Sequence, residues 1–164
     1  MTKNAADRYH GKYQHWDMTE LGYKMNLFDL QAALLLSQMP KLEEQLGKRE
    51  KVCQEYERAF AGLDFPRIVE GARSARHLFT LWAPRGQRDV WLQALQEKEI
   101  GVAVNYRPVH LLSYYRTTFG FKPGDFPVAE EIGDRTLTLP LYPGLTMEEV
   151  ASVISAVTQV ARAG

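Results

Sequence analysis

The chain has a single cysteine, Cys53, among its 164 residues. It therefore cannot cross-link itself with an internal disulfide, and a reducing, cytoplasmic setting suits it. It also lacks any excess of charge: twenty basic residues balance twenty acidic ones, which leaves no global field to draw it to nucleic acid or an anionic membrane. No apolar run is long enough to span a bilayer, and the first residues, MTKNAADRYHGKYQ, are too polar for a signal-peptide core. The four histidines, His10, His15, His77 and His110, are scattered, and no CxxC, HExxH or acidic calcium loop accompanies them. No GxGxxG or Walker sequence follows a strand pattern, and there is no GxSxG elbow. Metal chemistry, phosphate-loop chemistry and serine hydrolysis are thus excluded as self-contained functions. Cys53 sits in a helical pattern with no motif marking it as a nucleophile, and it reads as structural.

What is present is an ordinary globular composition, 45% hydrophobic and 24% charged. A chain of this length can bury about 70% of its unfolded surface, as one domain or two small ones. Residues 1–21 are polar, without sustained period, and read as an irregular arm. The following stretch carries apolar residues at Leu27, Leu30, Leu34, Met39, Leu42, Leu46, Cys53, Tyr56 and Phe60, mostly three, four or seven apart. That spacing predicts a long helix. Asn26, three residues before Asp29, can serve as its N-cap, and Pro40 should kink or break it near Gln38. The turn LQAALLL is apolar nearly all round and should be buried on more than one side, one of them facing a subunit partner.

Beyond Gly62 the pattern alternates. HLFTLWAP, within Arg76–Pro84, reads as a strand, and GQRDVWLQALQEKE as an amphipathic helix with Val90, Leu92, Leu95 and Ile100 apolar. GVAVNYR reads as a second strand, FPVAEEI as a short helix and TLTLPLYP as a third strand. The closing helix, TMEEVASVISAVTQVAR, is expected to be capped by Thr146 with Glu149 at its third position. The fold class is therefore α/β (α+β): a long N-terminal helix, then a small sheet of about three strands covered by helices. The acidic pairs Glu43-Glu44, Glu130-Glu131 and Glu148-Glu149 lie in helical patterns and read as solvated faces.

The chemistry-bearing groups concentrate in GVAVNYRPVHLLSYYR (101–116), where a strand pattern gives way to tyrosines, arginines and a histidine around a proline. Arginine and histidine suit a diphosphate, and tyrosine can stack on a base or bond a sugar hydroxyl. Packing in a core or hinge is the competing reading for Tyr114, Tyr115 and Phe119.

Several stretches in order resemble the DegT-type sugar-nucleotide aminotransferases, pyridoxal-phosphate-dependent enzymes of the aspartate aminotransferase-like fold type I. They are LGYKMNLFDLQAALLLSQM, NYRPVH, SYYRTTFGFKPGDFPVAEE and TLPLYPGLTMEEV, and together they cover essentially the whole chain. The resemblance implies the C-terminal part of such an enzyme: residues 1–25 an arm from the large-domain side, 26–62 an interdomain and dimer-contact helix, 63–164 the small C-terminal domain. It implies a homodimer with pyridoxal phosphate as cofactor and a sugar nucleotide as small-molecule ligand. Asn26 would reach the cofactor phosphate of the neighbouring subunit, and Lys24 is a second candidate because many relatives read GYNxRM there. The competing reading of Asn26 is a simple helix cap. Tyr106, Arg107 and His110 match the strand-end motif that faces the sugar-nucleotide cleft. The family's Schiff-base lysine motif has no counterpart in this chain, so no catalytic residue is assigned and the chain is expected to be inactive alone. A non-catalytic nucleotide-sugar-binding or assembly module is the alternative.

Overall fold

A computed structural model describes Met25 and residues 27–163. The chain divides into two units, Met1–Pro40 and Lys41–Gly164. In the first, helix α1 spans Asp29–Gln38. Phe28 occupies its cap position, and the Gln31 side chain accepts the Phe28 backbone N–H at 3.2 Å. The expected cap at Asn26 is therefore displaced by two residues. None of the helix is buried: Leu30, Leu34, Leu35 and Leu36 are all exposed, so the apolar turn lacks the expected cover among the described residues. A single 3₁₀ turn, Met39–Lys41, follows. Pro40 supplies no N–H and its ring crowds the carbonyl four residues back, so the helical stripe breaks where its pattern predicts.

In the second unit, helix α2 (Leu42–Ala59) opens the fold. The apolar stripe now finds a core: Val52, Cys53, Tyr56 and Phe60 are buried. Removal from water pushes the Cys53 thiol up to about 11, which keeps it protonated and fits its structural reading. Strand β1 (Phe79–Trp82) pairs antiparallel with β2 (Thr136–Leu139), with Phe79 opposite Leu139 and Leu81 opposite Leu137. Those four side chains share one face and are buried with residues of α2, of α3 (Arg88–Glu97) and of α6 (Met147–Ala163). Helix α3 turns Trp91 and Leu95 inward and leaves Val90 64% exposed, so Val90 does not belong to the buried face expected for it. Thr146 and Glu149 close a reciprocal capping box on α6. The Glu149 N–H donates to Thr146 Oγ1 at 3.2 Å, and the Thr146 N–H to Glu149 Oε2 at 2.7 Å.

The strand expected at GVAVNYR is a correction. GVAVNYR contributes one isolated antiparallel bridge, Ala103 to Thr138, closed by two backbone hydrogen bonds of 3.2 and 2.8 Å. Extending that register would set Gly101 against Pro140 and Asn105 against Thr136. Pro140 has no N–H to donate, and the Thr136 N–H is already spent on the Ile132 carbonyl at the end of helix α5 (Pro127–Arg135). The ladder is blocked on both sides, so among the described residues the sheet has two strands, and the 101–107 segment pairs with it only at Ala103. Two short helical turns, the 3₁₀ turn Val109–Leu111 and helix α4 (Ser113–Phe119), then lead towards α5.

The loop entering β1 is tied to α2 by Arg76. Its guanidinium is largely buried and donates to Glu50 at 2.7 and 2.9 Å and to Glu57 at 2.7 Å. Arg76 has φ +46, a left-handed conformation uncommon outside glycine, and this double ion pair holds it there. The same contact holds the Glu50 carboxyl below the usual carboxylate range.

Candidate functional site

The segment leaving the Ala103 bridge carries the groups singled out from the sequence. Tyr106 is 67% exposed and Arg107 is exposed, while Pro108 and His110 are buried. The structure thus places the three expected ligand residues in two settings. Tyr106 and Arg107, adjacent in sequence, both lie at the surface. His110 faces inward, its Nε2 2.9 Å from Glu130 Oε1 and its ring 4.8 Å from that of Phe126. Lys24 and Asn26, expected at the cofactor phosphate, lie outside the described residues.

Glu130 is the residue that the sequence reading passed over. The helical pattern groups it with Glu131 as a solvated face, yet its side chain is only 18% exposed. Besides His110, its carboxylate accepts the Gly124 N–H at 2.8 and 3.0 Å and the Phe126 N–H at 3.3 Å. Those donors are the reason its pKa is held down: the His110 hydrogen bond first, then the two backbone N–H groups, outweighing partial burial. The signal was available in GDFPVAEE. An acid in the first turn of a helix opened by proline can reach back to free N–H groups ahead of the helix.

Around this carboxylate the rings form a chain: Phe126 to Phe121 at 5.5 Å, Phe121 to Phe119 at 5.9 Å, and Phe119 to Tyr115 at 6.0 Å. Tyr114 and Phe119 remain 67% and 59% exposed. Their packing is therefore with one another on a surface and not in a core. A separate concavity of about 930 Å³ opens between Glu99–Gly101 and the start of α6. Its charged lining is Lys98 against Glu99, Glu148 and Glu149, a poor match for an anionic ligand.

A sequence model of the DegT/DnrJ/EryC1/StrS aminotransferase family matches residues 1–158. The spore coat polysaccharide biosynthesis protein SpsC of Bacillus subtilis is 38% identical over 99% of this chain and 44% of its own length. Among solved structures, S. venezuelae DesV in complex with a ketimine intermediate is 30% identical with a TM-score of 0.77, over 94% of this chain and 42% of that one. The Streptococcus pneumoniae protein Spr1654 in its PLP-form is 28% identical with a TM-score of 0.75, over 92% of this chain and 40% of that one. The chain spans less than half the length of the curated relatives it matches.

Proposed function

Because the chain belongs to the DegT/DnrJ/EryC1/StrS aminotransferase family, we propose that it is the C-terminal portion of a pyridoxal-phosphate-dependent enzyme that transfers an amino group to a keto-sugar nucleotide. The likeness to a spore coat polysaccharide biosynthesis protein supports a product destined for polysaccharide or cell-surface sugar. The observation that carries the substrate class is the exposed pair Tyr106 and Arg107 at the end of the 101–107 segment. A guanidinium fork matches the paired oxygens of a diphosphate, and the phenol can stack on a base. His110 serves this site from behind.

Pyridoxal phosphate supplies an electron sink in enzymes of this kind while the protein orients the reacting groups. The described lysines of this chain are not proposed as its covalent seat. Lys41, Lys48, Lys51, Lys98 and Lys122 are all exposed, and a cofactor lysine needs an enclosed position that lowers its pKa. Asn26 and Lys24 are proposed to reach the cofactor phosphate, in keeping with the family motif that they occupy.

Isolated, the chain is expected to bind uridine diphosphate weakly. Calorimetry should show affinity falling steeply as salt rises towards about 1 M, where screening acts over about 3 Å. Arg107→Ala should abolish the signal. Binding that ignores salt and survives Arg107→Ala would contradict the assignment.

We also propose that α1 is a subunit contact. Its exposed Leu30, Leu34, Leu35 and Leu36 form an apolar surface of the kind monomers rarely display. A second copy of the chain can cover it by a two-fold pairing. Sedimentation at micromolar concentration should show a dimer, and the double substitution Leu34→Lys and Leu35→Lys should leave monomer with unchanged circular dichroism. A wild-type chain that sediments only as monomer would exclude the contact.

A further inference from the structure

We infer that Glu130 and Gly133, neither of which touches the proposed ligand, are positioning residues that set where Tyr106 and Arg107 are presented. The inference rests on the nucleotide-binding reading of Tyr106 and Arg107, and it assigns that site a specific support. The observations start from α5. Glu130 and Gly133 are three residues apart, one helical turn, and so lie on the same face. Glu130 holds His110 through the 2.9 Å contact to its Nε2. Gly133 seats Pro108: a Cβ built at position 133 would fall 2.5 Å from Pro108 Cδ and 2.7 Å from its Cγ. No side chain fits there, and a proline ring cannot swing aside as a flexible chain end can. The two contacts grip residues two apart in the turn that immediately follows Arg107.

The base of this grip is itself fixed. The Arg88 guanidinium of α3 donates to the Gly133 carbonyl at 3.0 Å, and the Arg135 guanidinium to the Ala83 carbonyl at 2.8 Å just beyond β1. Glu130 also ties down the approach to its own helix through the Gly124 and Phe126 N–H groups. The loop lacks the alternative support that a sheet would give, since residues 104–107 have no ladder partner among the described residues. With pairing limited to Ala103, α5 is what holds the far end of the segment. A ligand site on an unpaired strand end depends on such support, because small misplacement of a binding group costs heavily in rate or affinity.

The test uses the full 164-residue chain, with uridine diphosphate as the probe. Glu130→Ala should raise amide exchange across residues 104–110 by about tenfold or more while the amides of α6 keep wild-type protection. The affinity for uridine diphosphate should fall about tenfold. Glu130→Gln, which retains an acceptor oxygen, should lie between wild type and alanine on both readouts. Gly133→Ala should shift the Tyr106 and Arg107 amide resonances, and it decides the matter should Glu130→Ala fail to fold. Wild-type exchange and affinity in Glu130→Ala would overturn the inference, as would a loosened loop with unchanged affinity. If the wild-type chain binds no uridine diphosphate, the nucleotide reading fails by itself. The exchange arm then decides whether α5 holds the loop.

Discussion

Tyr56→Ala is expected to remove about 3–5 kcal/mol from the stability of the unit that begins at Lys41. Tyr56 is fully buried on α2, its ring 5.0 Å from Phe79 on β1 and 5.7 Å from Phe60. Its hydroxyl donates to the Pro140 carbonyl at 3.0 Å, just past the end of β2. One side chain thus joins the helix to both strands, and truncation leaves a cavity at the centre of the layer together with an unsatisfied carbonyl. Against a total of about 5–15 kcal/mol for a domain, the loss is a large fraction. Tyr56→Phe separates the two contributions, since it keeps the packing and removes only the hydrogen bond. It should cost about 1 kcal/mol. Urea denaturation of the three proteins measures both steps, and equal losses for Phe and Ala would show that the ring packing is not what holds α2 to the sheet.

A protein consisting of these 164 residues is expected to show no amino transfer from glutamate to a keto-sugar nucleotide when pyridoxal phosphate is supplied. The reaction requires the cofactor to be held on a positioned lysine, with a partner that keeps its ring nitrogen protonated. The lysines from Lys41 onward are exposed amines, of the kind that form imines adventitiously and without selectivity. Borohydride reduction followed by peptide mapping should therefore find label spread over several lysines. Stoichiometric label on one of them, with turnover of the amino donor, would show a complete enzyme in this chain. Lys24, the lysine within the GYKMN motif, would then be the residue to replace first.

Local signals carried much of the fold. Pro40 breaks the helical stripe because its effect is confined to one turn, and Thr146 with Glu149 closes a capping box because both partners lie within four residues. The strand expected at GVAVNYR failed for a reason that no local pattern contains. GVAVNYR has strand composition, but its neighbour offers a proline at one pairing position and an N–H already committed to α5 at the other. The burial of Val90 was misjudged similarly, since α3 has apolar residues on more than one side and the sheet selects Trp91 and Leu95. At the site, the exposed character of Tyr106 and Arg107 followed from their type. The inward turn of His110 did not, because its partner Glu130 lies twenty residues away and reads as an ordinary acid on a helix surface. Its connection to the loop becomes visible only when α5 is seated against Pro108.

Whether the end of the 101–107 segment meets a nucleotide diphosphate, as proposed, is tested by amide-shift mapping. Uridine, thymidine and guanosine diphosphates would be titrated in turn into the labelled chain at low salt. Progressive, saturable shifts are expected, centred on Tyr106 and Arg107, extending to His110 through the turn and absent from Arg107→Ala. Shifts confined to residues elsewhere, such as the Glu99–Gly101 concavity or the Arg76 cluster, would contradict it.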